Sequence, residues 1–294
     1  MRICRLVWER TATLPFWLRW LLKAIVFGGV LVLVLFPHPV LFGRQVQHYL
    51  DMEMLIQPDF AGIEAINREI DALVTDDMSA EQEFFMIQQY VYQQIRYAYD
   101  WDNWGNIDFW PTAEQVWKRK REDCDGRAIL AVSILRSRGF AAASLVGNFR
   151  HIWVKVGPQE LMSPDTEQTI RTEGEKTILS LPSFDLLLGS TALYIVEFPI
   201  VRHLVLFFTS LVLCYHPCKH LTGFLGLTTV GLVGVLLLKE GAQDLLTAST
   251  TISLNLHFLS GWGLLSLVFV LALAAGKMPL CRMQKRIFRN QDSE

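Results

Sequence analysis

The stretch KREDCDGRAILAVSILRSRGF, Lys120 to Phe140, decides the fold of the middle of the chain. Its apolar residues recur with helical spacing and end at Gly139, which is typical of a helix that buries a wide face and stops at a glycine. A cysteine, Cys124, stands directly before this helix, between Asp123 and Asp125. Structural cysteines usually have apolar neighbours, so we interpret Cys124 as a nucleophile.

Helices are predicted before this stretch and strands after it. Apolar periodicity predicts a helix over 63–74, and Ser79 with Gln82 and Thr112 with Gln115 have the spacing of capping boxes at two further helix starts. The runs AAASLVG, RHIWVKV and ELMSP are short and separated by turn residues, which predicts strands of an antiparallel sheet. Helices followed by strands indicate an α+β domain.

Apolar residues concentrate at the two ends of the chain, which is 51% hydrophobic and 19% charged. Because about 20 apolar residues span a bilayer, we predict about four transmembrane helices, at 24–43, 198–215, 221–238 and 257–276. The first is an uncleaved anchor, since no small-residue cleavage site follows it. The run Leu186 to Val196 is too short to cross by itself and leaves the number of spans open by one.

Basic residues flank the outermost spans, in the tails 1–23 and 277–294. The positive-inside rule predicts that both tails are cytoplasmic, which agrees with four spans and places residues 44–180 outside the membrane. The net charge of −2 and the lack of a basic patch that would follow phosphates give no indication of a nucleic-acid partner, and none is expected. The predicted transmembrane helices make the lipid bilayer an expected partner.

A histidine is needed beside Cys124, because the helix dipole lowers the pKa of a thiol while the two adjacent aspartates raise it. His151 opens the predicted strand RHIWVKV, where an imidazole can face the helix start. Asp165 ends the next predicted strand and is placed to orient that imidazole. A cysteine, a histidine and an aspartate in this order suit thiol-dependent acyl transfer.

These motifs carry a family resemblance. The stretch WPTAEQVWKRKREDCDGRAILAVSILRSRGFAAASLVG, followed by RHIWVKV and SPD, resembles the transglutaminase-like superfamily of papain-type thiol enzymes. The upstream YAYDWDNWGNIDFWPTAEQVW is similar to the bacterial transglutaminase-like cysteine peptidases. The resemblance covers Arg96 to Thr166 and implies helices packed on an antiparallel sheet, with Cys124 as nucleophile, His151 as base and Asp165 as third member.

The resemblance also implies an activity. It predicts a cysteine peptidase or amidase that cleaves a protein or peptide on the periplasmic side of a bacterial inner membrane and requires no cofactor. A transamidase with the same triad stays open, because the acceptor is chosen by cleft shape and water access. A non-catalytic binding or assembly module also stays open.

Two departures from the family pattern surround the cysteine. Glu122 replaces the usual glycine, and Gly126 replaces the second acid after the cysteine. In the peptidase branch, acids around the nucleophile bind calcium. Asp123 and Asp125 remain as candidate calcium ligands, although calcium prefers six to eight oxygens.

Other candidates compete with ordinary structural roles. Trp104, Trp110 and Trp153 are candidates for a substrate cleft, although large aromatics more often belong to a core. The segment CYHPCKH offers a further set of candidate zinc or copper ligands, and an ordinary loop is the alternative: Cys214, His216, Cys218 and His220. The three C-terminal spans are candidates for holding a membrane-protein partner.

Overall fold

The chain folds into two compact units. The computed structural model describes residues 11, 13–75, 77–163, 167–173, 176–215, 221–247 and 255–277. Residues 36–197 form a unit of helices and strands, here called the mixed unit, and the remainder of the chain forms the second unit. The candidate functional site lies in the mixed unit, and each unit is described by itself.

The elements are numbered along the whole chain. The helices are α1 (Phe16–Leu35), α2 (Pro39–Leu50), α3 (Ile63–Asp71), α4 (Ala80–Gln94), α5 (Asp100–Asn103), α6 (Ala113–Arg119), α7 (Cys124–Ser137), α8 (Phe184–Glu197), α9 (Ile200–Cys214), α10 (Leu221–Thr247) and α11 (Leu256–Lys277). The strands are β1 (Arg96–Tyr97), β2 (Arg121–Glu122), β3 (Ala143–Gly147), β4 (Ile152–Val156), β5 (Gln159–Leu161), β6 (Ile170–Glu173) and β7 (Lys176–Leu179).

A five-stranded antiparallel sheet in the order β5-β4-β3-β6-β7 confirms the predicted sheet and the predicted class of helices with an antiparallel sheet. Val146 of β3 pairs with Trp153 of β4 on one side and with Arg171 of β6 on the other. A second, parallel pair joins β1 to β2, with Arg96 opposite Arg121. The sequence did not predict this pair, because two residues carry no readable periodicity.

The predicted helix signals hold in the structure. Both capping boxes form, and at Ser79 the backbone N–H donates to Gln82 Oε1 over 2.8 Å. The second box starts α6 at Thr112. Asp123 caps the start of α7, and Gly139 follows its end with φ +95°, a conformation that glycine adopts without strain.

Helix α7 lies at the centre of the mixed unit. It packs on β3 and β4 and also contacts α3, α4 and α6. Its residues Leu130 and Ile134 and the strand residue Trp153 are fully buried. Burial on this scale contributes about 25 cal/mol for each Å² of apolar surface removed from water. The packing fixes Cys124, the first residue of α7, against the start of β4.

Among the residues that the structure describes, three helices are long and apolar enough to cross a membrane, and α8 with α9 would make a fourth span if the pair crosses as one. The three lie over Phe16–Leu35, Leu221–Thr247 and Leu256–Ala274. The first overlaps the predicted segment 24–43 but begins and ends eight residues earlier, because the prolines around His38 end α1 and restart the chain as α2.

Two of the apolar helices, α10 and α11, pack closely through glycines. A methyl group added to Gly241 would overlap the backbone of Phe258, and one added to Gly261 would lie 2.5 Å from the backbone nitrogen of Leu238. Small residues at such crossings are typical of helices that pack in a bilayer.

Candidate functional site

A cavity of about 510 Å³ in the mixed unit contains both Cys124 and His151. Cys124 enters from the start of α7, and His151 directly precedes β4. The rest of the lining is rich in acids and aromatics: Tyr92, Tyr97, Asp100, Trp101, Ile107, Asp108, Asp123, Asp125, Arg127, Arg150, Met162, Ser163, Leu193, Tyr194 and Glu197. The structure therefore brings together the two residues that the sequence predicted as nucleophile and base.

The ring of His151 is held by a backbone carbonyl. Its Nε2–H donates to the carbonyl oxygen of Met162 over 2.8 Å, so Nδ1 is the unprotonated nitrogen of the neutral ring. The ring also stacks on Trp153, with centroids 5.9 Å apart. The neutral tautomer with a free Nδ1 is the form that can accept a proton.

The loop that carries this carbonyl is itself fixed. The backbone N–H of Met162 donates to Oε1 of Gln88 on α4 over 2.7 Å. Met162 and Ser163 have φ of +67° and +62°, a region that side-chain-bearing residues rarely adopt. Sequence reasoning missed Gln88 and Met162. It proposed Asp165 for the orienting role, and Asp165 lies outside the described residues.

The thiol of Cys124 donates to Oδ1 of Asp125 over 3.3 Å. The backbone N–H of Ile152, at the start of β4, also points to the sulfur. Within the part of the chain that the structure describes, no hydrogen bond joins Cys124 to His151. Burial, followed by the charges of Asp125 and Asp123, raises the pKa of the Cys124 thiol well above its usual range. These effects outweigh the helix dipole, so the thiol is protonated at neutral pH in this arrangement.

A group of carboxyl groups lies beside the cysteine. Oxygens of Asp100, Glu122 and Asp123 lie within 4.8 Å of one another. Burial raises the pKa of Glu122 to about 9 and also raises the pKa of Asp100 and Asp123. Among the described residues, Oδ1 of Asp100 and Oε2 of Glu122 are buried without a hydrogen-bond partner. Carboxyl groups this close either hold protons or share a cation.

Glu122 is fully buried and fixed on one side. Its Oε1 accepts hydrogen bonds from the side chains of Asn103 and Trp104. Its aliphatic stem crosses the α-carbon of Gly126, so that a methyl group on Gly126 would overlap Cγ of Glu122. The side chain of Glu122 and the backbone of Gly126 are therefore in direct contact with each other.

The three tryptophans that were candidates for the cleft lie behind the cavity walls, and the tryptophan in its described lining is Trp101. Trp104 Nε1 donates to Glu122, Trp110 bonds to Asp125, and Trp153 Nε1 donates to Glu160 over 2.9 Å. All three are buried. Each of them bonds through its ring nitrogen to a carboxyl group.

The candidate zinc or copper site falls largely outside the described residues. Cys214 is the last residue of α9 and is buried. His216, Cys218 and His220 lie outside the part of the chain that the structure describes.

Helix α2 fixes the loop that carries Asp108, one of the cavity residues. Oε1 of Gln45 accepts the backbone N–H of Trp110 over 2.8 Å, and Nδ1–H of His48 donates to the carbonyl of Trp110 over 2.6 Å. The hydroxyl of Tyr49 donates to Asp108. His48, the other histidine of the predicted domain, therefore has a structural role.

The chain was compared with protein-family models and with curated proteins, and neither comparison found a match.

Proposed function

We propose that the chain is a membrane-anchored thiol hydrolase, a cysteine peptidase or amidase that cleaves an amide bond in a protein or peptide. The observation that carries the proposal is that Cys124 and His151 meet in one cavity, from the start of a helix and the start of a strand. The resemblance to transglutaminase-like thiol enzymes supports the same roles. Asp165 is proposed as a third member of the triad.

In the proposed reaction, Nδ1 of His151 takes the proton of Cys124 once the thiol leaves Asp125. The sulfur bonds to the substrate carbonyl carbon, and the oxyanion is stabilised by backbone N–H groups at the start of α7. The proton on Nδ1 passes to the leaving amine as the C–N bond breaks. Water then attacks the thioester, the C–S bond breaks, and the acid product leaves with the thiol restored.

The contact between Glu122 and Gly126 supports the proposal that the altered cysteine box is intact in function. The usual box has glycine before Asp-Cys and an acid two residues after the cysteine, and here the two residue types are exchanged. The stem of Glu122 lies over Gly126. An acid that precedes the cysteine in sequence therefore lies beside the position at which the usual box has its acid. The exchange is thus compensated in space.

Calcium is a proposed ligand of this acidic group. The donors are all oxygen, as calcium prefers, and two buried carboxylate oxygens among the described residues have no hydrogen-bond partner. Asp100, Glu122 and Asp123 would hold the ion, with Asp125 as the further candidate. A bound calcium ion would supply positive charge that favours the thiolate of Cys124. Added calcium should raise the melting temperature of the wild type but not of Glu122→Gln, and no shift in either would refute the site.

The proposed location is a bacterial inner membrane. The distribution of basic residues supports cytoplasmic tails at both ends and a periplasmic mixed unit. The apolar helices α9, α10 and α11 are proposed to hold a membrane-protein partner. Cysteine-accessibility labelling of intact cells at an introduced exposed residue, Glu64→Cys, tests the orientation, and labelling only after lysis would contradict it.

The activity is tested by incubating full-length protein with periplasmic and inner-membrane proteins and identifying new chain termini by mass spectrometry. We expect new termini with the wild type and none with Cys124→Ala. A fluorescent primary amine added in parallel detects transamidation, because it would become bound to substrate by an amide bond. If the two proteins give the same termini and no amine is incorporated, the non-catalytic binding module is the better account.

A further inference from the structure

Helix α2 buries two of its polar residues and exposes several of its apolar ones, alongside the exposed polar residues Arg44 and Gln47. Gln45 and His48 are 1% and 4% exposed, whereas Val40 and Leu50 are 69% and 76% exposed, and Val46 is also exposed. A helix on the surface of a soluble domain has the opposite arrangement. The outward face of α2 therefore requires an apolar environment that the mixed unit itself does not supply.

The rotation of α2 about its axis is fixed. Gln45 and His48 bond to the backbone N–H and carbonyl of Trp110, and Tyr49 bonds to Asp108. Turning the apolar face inward would break these bonds and leave buried backbone groups without partners, which is costly. The exposed apolar face is thus a stable property of the fold.

Helix α2 begins a few residues after a candidate membrane span. Pro39, the first residue of α2, follows Leu35, the last residue of the candidate span α1, by four residues. Four extended residues reach at most about 14 Å. If α1 crosses a membrane, α2 must begin close to the surface of that membrane.

A neighbouring part of the mixed unit is also apolar and exposed. Helix α2 contacts β7, and just after α2 the backbone N–H of Met52 donates to Oγ1 of Thr177 in β7 over 3.2 Å. The chain that leaves β7 exposes Leu179, Leu181 and Phe184 before it continues through α8. Exposed apolar groups thus occur both on α2 and on the segment that joins β7 to α8.

We propose that the outward face of α2 is an interfacial membrane-docking surface that lies between the headgroups and acyl chains of the bilayer spanned by α1. An amphipathic helix in this position buries its apolar residues in the boundary region and keeps its polar side away from the lipid. Here that polar side bonds to the loop of Asp108 and Trp110. The mixed unit is seated on the lipid surface through α2, whether or not Cys124 is catalytic.

Spin labelling tests the docking surface in the full-length chain. The five native cysteines are replaced by alanine, and single nitroxide labels are placed at Val46→Cys, Leu50→Cys and, as a control on α3, Glu64→Cys. The proteins are reconstituted in vesicles of phosphatidylcholine and phosphatidylglycerol. Collision rates with oxygen, which partitions into lipid, and with a water-soluble nickel chelate are then measured for each label.

We expect the ratio of oxygen to nickel collisions to be several-fold higher at positions 46 and 50 than at position 64. Equal ratios at all three positions would overturn the proposal, since the α2 face would then lie in water. Low collision rates with both reagents, with dipolar broadening between labels on different molecules, would show that a second copy covers the face. That result also overturns the proposal.

Discussion

The sulfur of Cys124 lies 3.3 Å from Oδ1 of Asp125, the residue that follows it in α7. This bond keeps the proton on sulfur while Asp125 is ionised, and the negative charge disfavours the thiolate. Burial raises the pKa of Asp125 itself to about 8, so this carboxyl group is mostly protonated at pH 7 and gains its negative charge as the pH rises above 8. The resting site is therefore a protonated thiol that must leave Asp125 before it can react.

Replacing Asp125 by asparagine should speed alkylation of Cys124 by iodoacetamide at pH 9, where Asp125, with a pKa of about 8, carries its negative charge. The change removes a negative charge, so the thiol pKa falls and the thiolate fraction rises about tenfold for each unit of that fall. The rate is measured by mass spectrometry on the peptide that contains Cys124. Asp102→Asn, an exposed acid on α5, is the matched control and should leave the rate unchanged. An unchanged rate in Asp125→Asn would show that this carboxylate does not restrain the thiol.

Replacing Gln88 by alanine should slow the same reaction without unfolding the protein. The variant removes the acceptor for the Met162 N–H, so the carbonyl that holds His151 Nε2 loses its support. Gln88→Glu keeps an acceptor oxygen and should restore the rate and its pH profile. Gln89→Ala, at the next position on α4, serves as the control.

A purely structural role for Gln88 predicts a different pattern. In that case Gln88→Ala would lower the melting temperature and leave the pH profile of alkylation as it is in the wild type. That outcome would remove Gln88 from the machinery that positions His151.

Replacing Gly126 by alanine should destabilise the chain by about 1–3 kcal/mol, the usual cost of overpacking a filled core. The new methyl group would overlap Cγ of Glu122, which is fully buried and fixed by Asn103 and Trp104. Thermal unfolding followed by intrinsic fluorescence measures the effect. Gly43→Ala is the control, because a methyl group there meets no atom within 4 Å.

The Glu122 to Gly126 contact is isolated by a double-mutant cycle. In a Glu122→Ala background the stem is gone, so Gly126→Ala should cost little further stability. An equal cost in both backgrounds would mean that some other neighbour opposes the methyl group.

The stability of the mixed unit should fall as pH rises from 4.5 towards 9. Glu122 has a pKa of 4.5 in an ordinary environment and about 9 in the folded chain, because burial favours its protonated form. Across that window the folded state binds the proton that the unfolded state has lost, which costs up to roughly 1.4 kcal/mol per pH unit. Melting temperatures at pH 5 and pH 8, measured without calcium, test this.

Glu122→Gln should weaken that pH dependence, because the amide does not titrate, and the remainder comes from Asp100, Asp123 and Asp125, whose pKa values burial also raises. Glu64→Gln, which alters an exposed acid on α3, should leave the dependence as in the wild type. A wild-type protein that is equally stable at pH 5 and pH 8 would contradict the assignment of a buried, protonated Glu122.

Local patterns in the sequence were sufficient to predict the elements that carry the site. The apolar spacing and Gly139 predict α7, the Ser79 and Thr112 boxes predict two helix starts, and short apolar runs between turn residues predict β3 and β4. These signals are strong because each depends on residues close together in the chain. The placement of Cys124 and His151 in one cavity follows from packing α7 on β4.

Other features could not be read from the sequence. The group that holds His151 Nε2 is a backbone carbonyl, at Met162, and a carbonyl has no side-chain signature. The packing of Glu122 on Gly126 depends on how the chain enters α7 from β2. The burial of polar residues on α2 could not be predicted, because their hydrogen-bond partner is the loop ending at Trp110, which is distant in the sequence.

The most direct test of the central claim is the pH dependence of Cys124 alkylation by iodoacetamide in the full-length protein and in His151→Ala. We expect Cys124 in the variant to react roughly tenfold or more slowly between pH 7 and 8, because Nδ1 of His151 accepts the thiol proton in the wild type. Cys214 in the same molecules provides an internal reference that should not change. Superimposable profiles for Cys124 in the two proteins would contradict the account, since His151 would then have no influence on the nucleophile.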